Sequence, residues 1–181
     1  MKTNIAFICL LENYAKNVSK IMAEKLEMFY VNVDDMVQFE LGDAEHVVDT
    51  LGKSDGEKYI NKCENKVVGN VTSFENTIIC MNPTTMFSND NFEKIVNTSY
   101  VVYLQISPKF FEQRCKYSGD YVDQELNNIA FTERDKFYVE KSDIVLNCSA
   151  FKEQKAVKKL MKAINKFFKK MAREHKRKQV A

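Results

Sequence analysis

Residues 2–26, KTNIAFICLLENYAKNVSKIMAEKL, restrict the fold more than any other stretch of the chain. Residues 5–11 form an unbroken apolar run, as expected of a parallel strand covered on both faces. From Val18 the apolar positions are Val18, Ile21, Met22 and Leu26, which is helical spacing. A strand that enters a helix through a tight turn is where many α/β proteins hold a phosphate. Exposed backbone N–H groups and the helix dipole both favour an anion there. The usual sequence is G-x-x-x-x-G-K-[ST]. Here the same register reads Cys9-Leu10-Leu11-Glu12-Asn13-Tyr14-Ala15-Lys16, followed by Asn17. The layout of a phosphate loop is present and its chemistry is missing.

The remainder alternates strands with helices. Further strands are expected at residues 28–33, 77–81, 100–106 and 142–147. Helices are expected at 34–41, closed by Gly42, and at 43–51, 54–68, 89–96, 110–116, 122–140 and 150–177. Asn82-Pro83-Thr84-Thr85 reads as a loop, and Tyr117-Ser118-Gly119-Asp120 as a break. Such alternation implies one parallel sheet with helices on both faces, a three-layer α/β/α sandwich of five strands. Ligands in these sheets sit at the carboxyl ends of the strands. Residues 12–17, 32–35, 82–85 and 116–134 are therefore the ones to examine.

Composition excludes several classes. The 181 residues suffice for one domain with a full core. A 45% apolar and 29% charged content is that of an ordinary water-soluble globular protein. The five cysteines (Cys9, Cys63, Cys80, Cys115, Cys148) contain no C-x-x-C pair and read as reduced, buried thiols of a cytoplasmic protein. With only His46 and His175, far apart, a histidine metal site is not expected. No segment has the pattern of a signal peptide or a membrane span.

The positions after the strands resemble the shikimate kinase family, small P-loop kinases that phosphorylate a cyclic tri-hydroxy acid. N-I-A-F-I followed by V-S-K-I-M-A-E-K-L resembles that family's first strand and helix. F-Y-V-N-V-D-D-M-V through Gly42 resembles F-x-D-x-D-x-x-I…G, and G-E-K-Y-I-N-K-C-E (56–64) resembles G-E-x-x-F-R-x-x-E. Y-V-V-Y-L resembles the fourth strand; E-R-D-K-F-Y and S-D-I-V-L-N resemble E-R-x-P-x-Y and A-D-x-V-V-D. The resemblance implies one P-loop kinase-type domain over 1–181. Within it, 34–70 would be a substrate-binding helical insert, 116–124 a lid, and 150–181 a basic terminal helix and tail.

The residues that the resemblance makes functional are unequally kept. The phosphate loop becomes Glu12, Asn13, Tyr14, Ala15, Lys16 and Asn17, with Cys9 and Tyr14 in the glycine positions and Ala15 in that of the lysine. A left-handed backbone costs a non-glycine residue roughly 1–2 kcal/mol. Glu12 facing a phosphate oxygen at ~4 Å would be repelled by about 4 kcal/mol at an effective dielectric of ~20. Lys16 is one position, about 100°, out of register. The family's first aspartate, of the magnesium environment, is Asn32; the second, which binds substrate hydroxyls, is Asp34. One substrate arginine is replaced by Asn61, beside Lys62, and the other matches Arg134. The triple glycine after the third strand reads Asn82-Pro83-Thr84, and the lid lacks its arginine. Asp34 and Arg134 are thus the substrate-side candidates. Their alternative roles are a cap on the helix beginning at Asp35 and a surface ion pair.

Between Lys152 and Lys178 stand twelve Lys and Arg against two Glu, a segment charge of +10 in a chain of +2, which leaves −8 elsewhere. Val157, Leu160, Met161, Ile164, Phe167, Phe168 and Met171 form an apolar stripe along it. The plain reading is a terminal helix docked through that stripe. The sharper ones are contact with nucleic acid, anionic lipid or a second copy. Three functions remain open. The first is a kinase relative that has lost ATP-dependent phosphoryl transfer and binds or regulates, with no cofactor and with a small hydroxylated carboxylic acid as its partner. The second is an active kinase with an unusual ATP and Mg²⁺ site. The third is an interaction protein working through the basic helix.

Overall fold

The computed structural model describes residues 2–42, 44–118, 124–148 and 152–180. Five parallel strands form one sheet: β1 (Asn4–Ile8), β2 (Phe29–Asn32), β3 (Thr77–Met81), β4 (Ser99–Gln105) and β5 (Ile144–Asn147). Their spatial order is β2-β3-β1-β4-β5, with Ile5 opposite both Ile78 and Tyr100. The first strand is therefore central, and every one of its residues is buried.

Alternation along the strands divides the core in two. Ile5, Phe7, Ile78, Cys80, Val102 and Leu104 face one layer, made by α1 (Glu12–Leu26) and α9 (Glu153–Val180). Ala6, Ile8, Ile79, Met81, Val101 and Tyr103 face the other. There lie α2 (Val33–Leu41), α4 (Lys53–Val71), α5 (Pro83–Met86), α6 (Asn89–Thr98) and Tyr138 of α8 (Gln124–Lys141). Helices α3 (Ala44–Leu51) and α7 (Pro108–Ser118) complete the described elements. The expected three-layer α/β/α sandwich with five parallel strands is the fold observed.

Polar groups fasten the strand ends. Asn4 is buried; its Oδ1 accepts from Thr77 N–H at 3.0 Å and its amide donates to Phe74 O. The Val101 N–H donates to Asp143 Oδ2 at 2.8 Å. Cys9, Cys63, Cys80 and Cys148 are buried and unpaired.

Three local expectations need correction. Strand β1 ends at Ile8, not at residue 11, and α1 begins at Glu12. Residues 12–17, expected to be a loop, are the first turn and a half of the helix. Leu10 and Leu11 pack against the core, so a buried connection has the same apolar signature as a strand. Second, Asn82 is not followed by an open loop. Its Oδ1 accepts from Thr84 N–H at 2.7 Å and caps α5, with Pro83 at the first helical position. Of the segment read as a lid, residues 119–123 lie outside the described residues, as do 149–151 at the start of the basic segment. The break expected at Tyr117 falls later, since α7 runs to Ser118.

Candidate functional site at the carboxyl ends of the strands

The connection from β1 to α1 is three residues long. Leu11 stands at the helix N-cap with no side-chain hydrogen bond, and the Ala15 N–H donates to its carbonyl at 3.0 Å. The Leu11 N–H itself points to Cys9 Sγ at 3.4 Å. Tyr14 is 4% exposed and Ala15 1%, so both are core residues. The Tyr14 ring meets Phe110 edge-on, with centroids 6.3 Å apart. Asn13 and Asn17 are exposed.

Glu12 and Lys16, one helical turn apart, both face the ends of the neighbouring strands. Asn82 Nδ2, at the end of β3, donates to Glu12 Oε1 at 2.6 Å. Lys16 Nζ reaches Asp35 Oδ1 at 3.4 Å, across to the end of β2. Burial would lower the lysine pKa, but Asp35, Asp34 and Glu12 together hold it raised. The lysine out of register for a phosphate thus points into a group of carboxylates.

Asp34 belongs to that group. It lies in the first turn of α2, whose cap is Asn32: Oδ1 of Asn32 accepts from Asp35 N–H at 2.9 Å. The alternative role considered for Asp34, capping this helix, falls to Asn32 instead. Asp34 is half-buried and its pKa is pushed up to about 6, first by burial and then by Glu12, while Lys16 and Asn82 pull the other way. A carboxylate shifted in this way at a strand end is common at functional sites.

Arg134 of α8 is half-buried, with its guanidinium 5.9 Å from the centroid of the Phe87 ring. Among the described residues it makes no ion pair, the alternative role considered from sequence. Phe87 is the C-cap residue of α5, and Asn82, whose side chain is among the groups that lower the Asp34 pKa, is the N-cap residue. Asp34 and Arg134 therefore lie near opposite ends of the same short helix. Asn61 and Lys62 are exposed on α4.

Two further carboxylates were not singled out from sequence. Glu64, the last residue of the 56–64 motif, is half-buried; burial raises its pKa, and a bond from Thr85 in the middle of α5 lowers it. Asp135, next to Arg134, accepts from Tyr103 Oη at 2.7 Å and from Gln105 Nε2 at 3.1 Å. This fixes α8 over the end of β4 and sets where Arg134 can reach. The Tyr138 hydroxyl donates to Pro83 O and ties α8 to α5. The motif E-R-D-K-F-Y carries all three contacts, so it was the available signal. Among the described residues, no three His, Cys, Asp or Glu side chains form a group that could hold a metal ion.

Comparison with known proteins agrees with the fold. Residues 16–165 match the family described as shikimate kinase. The shikimate kinase of Symbiobacterium thermophilum is 24% identical over 116 residues, 64% of this chain and 65% of that protein's length. The crystal structure of shikimate kinase from Aquifex aeolicus superposes with a TM-score of 0.73 at 21% identity, covering 90% of this chain and 96% of that one. Shikimate kinase from Acinetobacter baumannii, solved in complex with shikimate, superposes with a TM-score of 0.78 at 17% identity, covering 92% and 94%. The matched family span begins at Lys16, after β1 and its connection.

Proposed function

Because the chain belongs to the shikimate kinase family, we propose that it is a member that has lost ATP-dependent phosphoryl transfer and acts as a binding or regulatory module. The observation that carries this reading is the start of α1. In a phosphate-binding turn, backbone N–H groups ring an anion, and a Ser or Thr hydroxyl at the end of the motif holds Mg²⁺. Here the turn is three residues, Cys9 buried and Leu10 and Leu11 half-buried against the core, and α1 begins at Glu12. The Glu12 carboxylate supplies a negative charge in the first helical turn, where the dipole favours one. Lys16, in the Ser/Thr position, supplies an ammonium 3.4 Å from Asp35. The protein carries its own anion and cation where a nucleotide phosphate and its metal would need room.

The substrate side supports a retained ligand site. Asp34, Glu64 and Arg134 surround α5 and combine hydroxyl-binding carboxylates with one carboxylate-binding guanidinium. By likeness to the Acinetobacter relative, the ligand class is a small hydroxylated ring acid. With Asn61 in place of a second arginine, its binding is weak. Losing one charged hydrogen bond costs roughly 1.5–3 kcal/mol.

Calorimetric titration tests both halves separately. ATP with Mg²⁺ is expected to give no binding heat up to millimolar concentration and no rise in Tm. Shikimate is expected to give weak heat that Arg134→Ala abolishes. Mg²⁺-dependent ATP binding would overturn the loss of phosphoryl transfer. A flat acid titration with correctly folded protein would overturn only the retained site.

A further inference from the structure

We propose that the outer face of α9 is a binding ridge for double-helical nucleic acid. The inference does not rest on the reading of the strand-end site. Helix α9 places its cations unevenly around its axis. Lys155, Lys158, Lys159, Lys162, Lys166, Lys169, Lys170, Arg173, Lys176 and Arg177 are all exposed. At 100° per residue they fall within an arc of about 120°, directly opposite the buried Val157, Leu160 and Ile164. No acidic residue lies within that arc; Glu153 is on the inner side, and Glu174 is at the flank, 3.8 Å from Lys170. From Lys155 to Arg177 the ridge is about 33 Å long, one cation per ~3.3 Å. One strand of a duplex carries a phosphate every ~3.4 Å of axis.

The ridge also runs away from the acidic group at the carboxyl ends of the strands. Helix α9 starts beyond the carboxyl end of β5, beside Leu146 and Cys148 of the same core, and runs back antiparallel to the strands. At Phe167 and Phe168 it has reached Tyr100, at the start of β4, with ring centroids 5.5 and 5.0 Å apart. The residues beyond, through Val180, continue for about 18 Å past the amino edge of the sheet. Those from Lys169 to Arg177 are exposed. Glu12, Asp34 and Asp35 are at the opposite, carboxyl edge. At the amino edge itself stand Glu27, Glu75 and Asp143, of which Asp143 is paired with Lys2 at 3.7 Å, and the arm carries its cations on past that edge.

Among polyanions, the surface favours a duplex over a bilayer. A helix lying on lipid buries an apolar face in the headgroup boundary. Most of the apolar face of α9 packs on α1 and β5, with Phe167 and Phe168 against Tyr100 of β4, and of its large apolar side chains only Phe168 and Met171 stay exposed, too little for a face buried in lipid. Single strands are bound by exposed aromatic platforms, and the ridge has none.

The test is fluorescence anisotropy of a labelled 24-base-pair mixed-sequence duplex, titrated with the full chain from 50 to 200 mM salt. With about six phosphates engaged, log K is expected to fall against log salt with a slope of about −5. Replacing Lys162, Lys166, Lys169 and Arg173 by Gln is expected to bring that slope to about −2 and to weaken binding at least thirtyfold at 100 mM salt. Replacing Lys20, Lys53, Lys58 and Lys66 by Gln makes the same charge change elsewhere and is expected to leave binding within twofold. Circular dichroism and Tm establish that both variants are folded. Absence of duplex binding by the unmodified chain at 50 mM salt would overturn the proposal without recourse to any variant. So would equal losses in the two variants, or retention on phosphatidylserine vesicles but not on the duplex.

Discussion

Asp34 is held against its preference for water. In the folded chain its carboxyl titrates at about 6, against 3.8 for an ordinary aspartate, because it is half-buried beside Glu12. Between those two values the folded chain keeps a proton that the unfolded chain has released. Stability from this group is therefore highest below pH 4 and falls as pH rises to about 6. Asp34→Asn is expected to raise Tm at pH 7.5 by about 2–4 °C, corresponding to ~1 kcal/mol. The gain should vanish at pH 4, where both side chains are neutral. Parallel melting curves at the two pH values check this; a variant less stable than the parent at pH 7.5 would show that Asp34 is fully compensated by Lys16 and Asn82. On the proposal that Asp34 binds ligand hydroxyls, the same variant is also expected to weaken binding of a hydroxylated acid.

Among the elements, α1 is the one on which the proposed loss of phosphate binding rests. Its first residues are not a loop that has merely lost its glycines, since Tyr14 and Ala15 are packed into the core. Restoring the motif one residue at a time should therefore damage the fold. Tyr14→Gly removes a buried ring and adds a glycine to the first turn of α1, which together cost about 4 kcal/mol. Ala15→Lys forces an ammonium into an apolar layer at comparable cost. Each is expected to lower Tm by about 8–16 °C, measurable by thermal denaturation, with no gain in ATP binding. A Tm within 3 °C of the parent would mean that the turn is far more plastic than its burial implies. The strands were legible in the sequence because burial on both faces leaves long apolar runs such as 77–81 and 100–106. Their ends were less so: residues 9–11 are apolar because they pack, not because they pair. The contacts that build the site were largely illegible. Asn82 reaches Glu12 across 70 residues and Asp135 reaches Tyr103 across 32. Spacing along one element carries no trace of a partner on another. Asp34 and Arg134 could be found only through the motif they share with the family, and their common attachment to α5 depended on a helix read as a loop.

At the scale of the whole molecule, charge and stability are separated in space. The core is closed by the first half of α9, through Ala156, Val157, Leu160 and Ile164. The second half contributes charge and almost no burial, since residues from Lys169 to Arg177 are all exposed. Domain stability should then be insensitive to loss of the arm. Ending the chain after Met171 removes Arg173, Lys176, Arg177 and Lys178 with Glu174, and changes the net charge from +2 to −1. The Phe167 and Phe168 contacts with Tyr100 remain. Thermal denaturation of this shortened chain is expected to give a Tm within about 2 °C of the parent, because exposed substitutions and deletions away from packed groups change stability by roughly 0.5 kcal/mol or less. Ending it after Leu160 instead deletes Ile164 and both aromatic contacts. Losing buried side chains of that size costs about 2–5 kcal/mol each, so that chain should fail to melt cooperatively. If the longer truncation product also loses its cooperative transition, the arm is part of the folding unit rather than an appendage, and its cations would have to be explained by contacts within the domain.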